Sequence, residues 1–223
     1  MFSETEQAPP PRLTREWILR SALRLIDDEG AAALTMRRLA AVLHASPMSL
    51  YHHVPSREAL LDGLSEVMVA ELHIDSNQAW PELLANFMRS IRSVARRHPD
   101  AFRLVGMRPL TTPGSLPPIE SVVGALMDGG IEPRHAVSTF RAAVAYARGY
   151  ALAEIEGFTL DPQTSPATSP DADQDRPALP HLDQVLRSAA TSDQEAIFEF
   201  GVAALIDGLH RAVRLGPGPG RGS

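Results

Sequence analysis

The stretch HASPMSLYHHVPSREALLDGL, residues 44–64, constrains the fold more than any other part of the chain. Ser46 and Pro47 predict a helix start, because the hydroxyl can cap the first turn and proline already has a helical φ. Pro55 and Ser56 stop this helix and begin the next one. A helix of so few residues is not stable alone in water. The surrounding helices must therefore hold it in place.

Apolar residues recur at helical spacing throughout the chain, and no convincing two-residue alternation occurs. The pattern predicts an all-α protein. Thr14 and Gly30 bound the first helix, which carries Leu13, Trp17, Ile18, Ala22, Leu25 and Ile26 on one stripe. Thr35 caps a second, short helix that turns Leu39, Val42 and Leu43 inward. A helix after Ser56 extends to about His73, with an apolar face of Leu60, Leu61, Leu64, Val67, Met68 and Leu72.

The remaining sequence predicts further helices in a second, larger domain. They are expected at 80–98, from Pro99 onward, and at 119–128, 133–158, 178–190 and 193–214, with irregular chain at 108–118. We divide the chain into a disordered N-terminus (1–12), a helix-turn-helix domain (13–55), a connecting helix (56–73), a regulatory domain (74–215) and a disordered tail (216–223). Within the regulatory domain, residues 161–177 have the composition of a mobile loop.

Composition and motifs narrow the classes of function. The chain has no cysteine, so it offers no disulfide framework or thiolate site, and no apolar run approaches the length of a membrane span. Its N-terminus does not resemble a secretory signal, and we expect a cytoplasmic protein that needs no cofactor. It contains no nucleophile elbow, P-loop or HExxH motif, so we do not expect an enzyme. The net charge is −6, yet residues 12–57 hold seven arginines against four acids.

The short helix makes sense as the reading helix of a helix-turn-helix. Leu50 is expected to point inward and Val54 to close its end, which leaves Met48, Ser49, His52 and His53 outside. A recognition helix contacts bases with its N-terminal residues, so two turns are enough. A metal site of His44, His52 and His53 is disfavoured, because the adjacent pair points about 100° apart on a helix and no carboxylate lies at ligand spacing.

At these residues the chain resembles a known family. The sequence LTMRRLAAVLHASPMSLYHHVPSREALLDGL resembles the DNA-binding domain of the TetR (tetracycline repressor) family, although His44 stands where a glycine is common. The resemblance implies that Thr35 meets a phosphate at a helix N-terminus and that Arg37 reaches a base edge. It also implies base contacts by Met48 and Ser49. The residues implied to contact phosphates are Tyr51, His53 and Arg57.

The segments WPELLANF, GMRP and FEFGVAALIDGL resemble the regulatory domain of the same family. In its tetracycline-binding members a histidine four residues before the Arg-Pro pair holds the drug's divalent metal, but this chain has Leu104 there. Ala153 replaces an acid of that site, so tetracycline–magnesium is not expected. We expect an apolar or mildly polar effector instead. The predicted ligand-binding residues are His73, Phe87, Ile91, Leu104, Met107, Arg108, Phe140, Tyr146 and Tyr150.

The sequence also predicts a homodimer. Alanine and glycine in 142–153 and 201–208 allow close helix approach, and two copies can bury these faces in a four-helix bundle. We therefore predict a homodimeric repressor that binds palindromic double-stranded DNA and is released by its small-molecule effector. The alternative is a small-molecule-binding or partner-binding helical protein with a vestigial helix-turn-helix. The sequence identifies neither the effector nor the operator.

Overall fold

The computed structural model describes residues 13–158, 179–189 and 193–215. Every regular element in these ranges is helical, which confirms the all-α prediction. The segments predicted to be disordered or mobile, 1–12, 161–177 and 216–223, lie outside the described residues.

Four helices form the first part of the chain: α1 (Arg15–Glu29), α2 (Met36–Val42), α3 (Pro47–His53) and α4 (Arg57–Ala70). Each begins at a side-chain cap predicted from the sequence. The hydroxyl oxygens of Thr14, Thr35, Ser46 and Ser56 accept hydrogen bonds of 3.0–3.2 Å from backbone N–H groups three residues later. These caps fix where the short helices start, so the turn between α2 and α3 is set locally.

Two details differ from the sequence expectation for these helices. Val42 is 41% exposed, whereas Leu39 and Leu43 are buried, because only the side of α2 that carries the two leucines faces the core. The connecting helix ends at Ala70 rather than near His73. The backbone N–H of His73 donates to Ser90 Oγ at 2.8 Å, so it does not continue the helical ladder.

Among the described residues, six helices follow: α5 (Trp80–Arg97), α6 (Pro99–Val105), α7 (Leu116–Asp128), α8 (Pro133–Glu156), α9 (Pro180–Ala189) and α10 (Gln194–Leu215). Their order agrees with the sequence, except that α7 begins at Leu116, three residues earlier than expected. The segment before it contains a 3-10 turn at Pro113–Ser115. Helices α5 and α8 pack face to face, with the rings of Phe87 and Phe140 5.9 Å apart.

One continuous hydrophobic core joins the two parts of the chain. Helix α4 lies against α1 so closely that a Cβ on Gly63 would stand 2.4 Å from a Leu19 methyl carbon. Polar bonds reinforce this joint: Arg15 pairs with Glu66 at 2.5 Å, and the buried His98 ring bonds Asp27 at 2.8 Å. The helix-turn-helix is therefore fixed to the larger domain through packed helices.

Candidate functional site: a reading helix and an apolar cavity

Helix α3 presents its outer face to solvent. Leu50 and Val54 are buried as predicted, whereas Met48 is 68% exposed and Tyr51 41% exposed. Ser49 is partly exposed, and its hydroxyl lies 2.9 Å from that of the capping Ser46. This bond orients the Ser49 hydroxyl and leaves it further hydrogen-bonding capacity toward a base.

The turn before α3 depends on His44, whose φ of 49° lies in the left-handed region. A non-glycine residue seldom adopts this conformation, and glycine is the usual choice where a turn needs it. His44, which stands where glycine is common, therefore adopts the left-handed conformation itself, and the turn is kept.

Two neighbouring arginines on α2 differ in their surroundings. Arg38 is held by hydrogen bonds to both carboxylate oxygens of Glu29 on α1. Arg37 is exposed, and no carboxylate among the described residues forms an ion pair with it. The guanidinium of Arg37 is therefore available to an external partner, as a base-edge contact requires.

The other predicted DNA contacts surround the same face. Thr35, Tyr51, His53 and Arg57 are all exposed. No acidic residue occurs between Gly30 and Arg57, so nothing in this segment repels a phosphate. The predicted residues thus lie on α2 and its capping residue, on α3 and at the first residue of α4, and all are exposed except the partly exposed Ser49.

A cavity of about 420 Å³ lies in the second domain, beside the far end of α4. Its wall comes from α4, α5, α6, α7 and α8 and from the segment 106–110 that follows α6. The side chains are mostly aliphatic or aromatic, with a few polar groups among them. This is the usual form of a small-molecule site.

Three of the nine predicted ligand-binding residues line this cavity: Phe87, Ile91 and Phe140. The structure does not place the other six on the wall. His73 is exposed beyond the end of α4, Leu104 packs against the core, and the Met107 side chain is 57% exposed. The Arg108 guanidinium points to α4, where it bonds Asp62.

The two predicted tyrosines face α10 rather than the cavity. Tyr146 donates a hydrogen bond to the carbonyl of Phe198 at 2.9 Å, and Tyr150 donates to the carbonyl of Gln194 at 3.0 Å. Burial raises the pKa of Tyr146 to about 12. Aromatic residues at helical spacing here join α8 to α10, a role that the sequence did not distinguish from ligand contact.

Sequence reasoning missed both charged residues of the wall, Arg141 and Arg148 on α8. Arg148 was visible as the single charge in the otherwise apolar run AAVAYARGYALA, which predicted only close helix packing. Burial lowers the pKa of the Arg148 guanidinium. Arg141, two helical turns earlier, lies at the exposed rim of the same cavity.

Within the part of the chain that the structure describes, no three histidine, aspartate or glutamate side chains gather as a metal site. The same part contains no helix that is both long and apolar enough to cross a membrane.

Comparisons with known proteins agree with both halves of this arrangement. Residues 18–64 match the family described as bacterial regulatory proteins, tetR family, and residues 75–213, more than half of the chain, match the tetracyclin repressor-like C-terminal domain. A helix-turn-helix-type transcriptional regulator of Saccharopolyspora erythraea is 33% identical over 68% of this chain and 65% of its own length.

Two further similarities extend over most of the chain. The class G tetracycline repressor protein of Vibrio anguillarum is 29% identical over 90% of this chain and 95% of that protein. The crystal structure of the TetR family protein ActR of Streptomyces coelicolor, in complex with (S)-DNPA, has a TM-score of 0.75 and 27% identity. It covers 92% of this chain and 99% of that one. The chain therefore belongs to the TetR family and is a helix-turn-helix, DNA-binding transcriptional regulator.

Proposed function

We propose that this regulator is a repressor that binds a palindromic operator as a homodimer and is released when a small, largely apolar compound other than tetracycline–magnesium enters the cavity. The observation that carries the proposal is the face of α3, with Met48 and Tyr51 exposed. An unpaired Arg37 and an acid-free segment surround that face. Apolar and hydroxyl groups can read base edges, while the arginines meet phosphates and guanine.

Pairing of two copies would place two reading helices on successive major grooves, about 34–36 Å apart. Exposed small or apolar positions follow one another at four-residue spacing on α10, at Phe200, Ala204 and Gly208. Helix α8 exposes Val137, Ala145 and Gly149 along a similar line, with the exposed Arg141 between the first two. Two such stripes allow the helices of a second copy to approach closely, and this supports a four-helix interface.

Helix α4 offers the route between the cavity and the DNA. It begins at Arg57 beside the reading helix, and Met68 and Val69 in its last turn line the cavity. A compound that fits the cavity better when α4 is displaced would favour a spacing of the reading helices that does not match the operator. Its effect cannot exceed its difference in affinity for the two conformations.

Selection of bound sequences from a random duplex pool tests the proposal. The expected result is a palindrome with half-sites about one helical turn apart, bound less tightly as salt increases. Arg37→Ala and Ser49→Ala should each weaken binding to the selected site at least about tenfold. Arg134→Ala is the matched control, because Arg134 lies on α8 and pairs with Glu132 at 2.7 Å.

Failure to select any duplex at low salt would contradict the proposal and favour the partner-binding alternative. Selection of a site without two-fold symmetry would contradict the homodimer alone. If the Arg37 and Ser49 variants bound the selected site like the wild type, the assignment of α2 and α3 as the base-reading elements would be wrong.

A further inference from the structure

Arg148 extends from α8 into an otherwise apolar part of the cavity wall and is partly buried there. Its one hydrogen bond within the described residues runs from Nη1 to the backbone carbonyl of Arg108, at 3.5 Å. This is long for a hydrogen bond and leaves most of the five guanidinium N–H donors without a protein acceptor.

The other arginines that are withdrawn from solvent each bond a carboxylate. Among the described residues only Arg92, Arg108 and Arg148 are not exposed. Arg92 bonds Glu154 through two nitrogens at 2.8 Å and Glu195 at 2.7 Å, and Arg108 bonds Asp62 at 2.6 Å. Arg148 alone of the three has no carboxylate partner among these residues.

Burial without a counter-ion is unfavourable for this side chain. A guanidinium keeps its proton under all ordinary conditions, so Arg148 cannot become neutral in the way that a buried lysine can. Burial lowers its pKa, and no nearby acid offsets this effect. None of the described residues lining the cavity is acidic, and Arg141 adds a second positive charge at the rim.

We propose that the effector of this regulator is an organic anion, in which an apolar body fills the cavity between α5 and α8 and a carboxylate, sulfonate or phenolate bonds Arg148. The inference rests on the function proposed above and adds that the effector must carry a negative charge. A carboxylate or sulfonate suits the guanidinium best, because two of its oxygens can accept parallel N–H···O bonds, while a phenolate accepts a charge-assisted bond through one oxygen. The apolar wall of Phe87, Ile91 and Phe140 would strengthen those bonds by excluding water.

Two fluorescent probes that share one apolar skeleton test this proposal: anilinonaphthalene sulfonate, which is an anion, and phenylnaphthylamine, which lacks the sulfonate. Each is titrated into the full chain at fixed ionic strength. We expect the anion to bind the wild type at least about tenfold more tightly than the neutral probe, as a charge-assisted bond predicts.

Arg148→Met should remove this preference, while Arg148→Lys should keep part of it because the charge remains. Arg187→Met is the matched control, since Arg187 is an exposed residue of α9 that does not line the cavity. Circular dichroism melting identifies any variant that is not folded. If Arg148→Met does not fold, Arg148→Lys and the two probes on the wild type still give the answer.

Equal binding of the two probes to the wild type, or no binding of the anion, overturns the inference, as does a full preference for the anion in Arg148→Met. Gel retardation with the selected operator is run on the same samples. Operator binding without an anion preference contradicts only this inference. An anion preference without operator binding supports the inference and contradicts the proposed function.

Discussion

Arg108 bonds the carboxylate of Asp62 through Nη2 at 2.6 Å and Nε at 3.2 Å. This ion pair ties the segment that follows α6 to the middle of α4, the helix that begins beside the DNA-reading face. The carbonyl of Arg108 also accepts the hydrogen bond from Arg148. A compound that competes for Arg148 thus acts on a residue whose side chain holds α4.

We predict that Asp62→Asn and Arg108→Met each lower the free energy of unfolding and that the double variant is less destabilised than the sum of the two. A partly exposed pair of this kind contributes about 0.5–1 kcal/mol. Urea unfolding of the four proteins gives the coupling as a double-mutant cycle. Strict additivity would mean that the two side chains do not interact in solution.

The sequence predicted most of the first domain because its signals are local. Thr14, Thr35, Ser46 and Ser56 cap the helices that they were expected to cap, and each cap depends only on residues within one turn. The prediction that Val42 points inward was wrong, because the apolar character of a residue does not show which side of a two-turn helix the core covers. That depends on the packing of α1 and α4.

The cavity wall was less predictable than the caps. Phe87 and Phe140 lie on it, but Tyr146, on the same helix as Phe140, packs against Phe198 with ring centres 5.6 Å apart. Whether an aromatic residue of α8 faces α5 or α10 depends on contacts between segments far apart in sequence. Arg148 was missed for the same reason, because only the folded chain shows that no carboxylate of the described residues lies beside its guanidinium.

A second prediction concerns Glu66, which connects α4 to Arg15. Burial raises the pKa of Glu66, but hydrogen bonds from Thr112 and Arg15 outweigh it, and the net pKa lies below the ordinary value. The ionised carboxylate therefore stabilises the folded state at pH values above the unfolded pKa. This contribution is lost as the pH falls through the lower, folded pKa.

Glu66→Gln should accordingly lower the free energy of unfolding at pH 7 by about 1 kcal/mol, and the difference from the wild type should shrink below about pH 4. Urea unfolding at both pH values measures it. Glu120→Gln, at an exposed position on α7, is the control and should change the free energy by less than about 0.5 kcal/mol. A constant effect of Glu66→Gln at both pH values would contradict the charge-based explanation.

The contact of α4 with α1 gives a third prediction. A Cβ at Gly63 would lie 2.4 Å from a Leu19 carbon, whereas a Cβ at Gly124 on α7 would meet nothing within 4 Å. Gly63→Ala should destabilise the protein by about 1–3 kcal/mol, because the buried Leu19 side chain must be displaced in a packed core. Gly124→Ala should stabilise it by about 0.5–1 kcal/mol through helix propensity. Equal shifts in the two urea midpoints would disprove the close approach.

The fourth prediction distinguishes a phosphate contact, which positions the protein on DNA, from a base contact, which recognises the sequence. Arg57 is exposed at the first position of α4, and a phosphate contact there would release counter-ions without regard to sequence. Arg57→Ala should weaken binding to specific and random duplexes by a similar factor. It should also reduce the slope of log affinity against log salt by about two per dimer. A loss confined to the specific duplex would instead assign Arg57 to a base.

The last prediction concerns the surface that would pair two copies. Phe200 on α10 is 76% exposed, the largest exposed fraction among the exposed large apolar side chains of the described residues. In a homodimer it would be buried with Ala204 and Gly208, and a carboxylate there would lose its hydration without gaining a partner. Phe200→Glu should therefore give a species near the chain mass of 24.2 kDa in sedimentation velocity, whereas we expect the wild type to sediment as a dimer.

Met127→Glu provides the control, because Met127 is 46% exposed at the end of α7, a helix that carries neither stripe, and its variant should remain dimeric. If Phe200→Glu is a monomer, it should also lose most of its affinity for the full palindromic operator, because one reading helix then binds without the other. Its affinity for an isolated half-site should stay close to that of the wild type. A dimeric Phe200→Glu would show that another face joins the two copies, and the spacing of the reading helices would then have to be derived from that face.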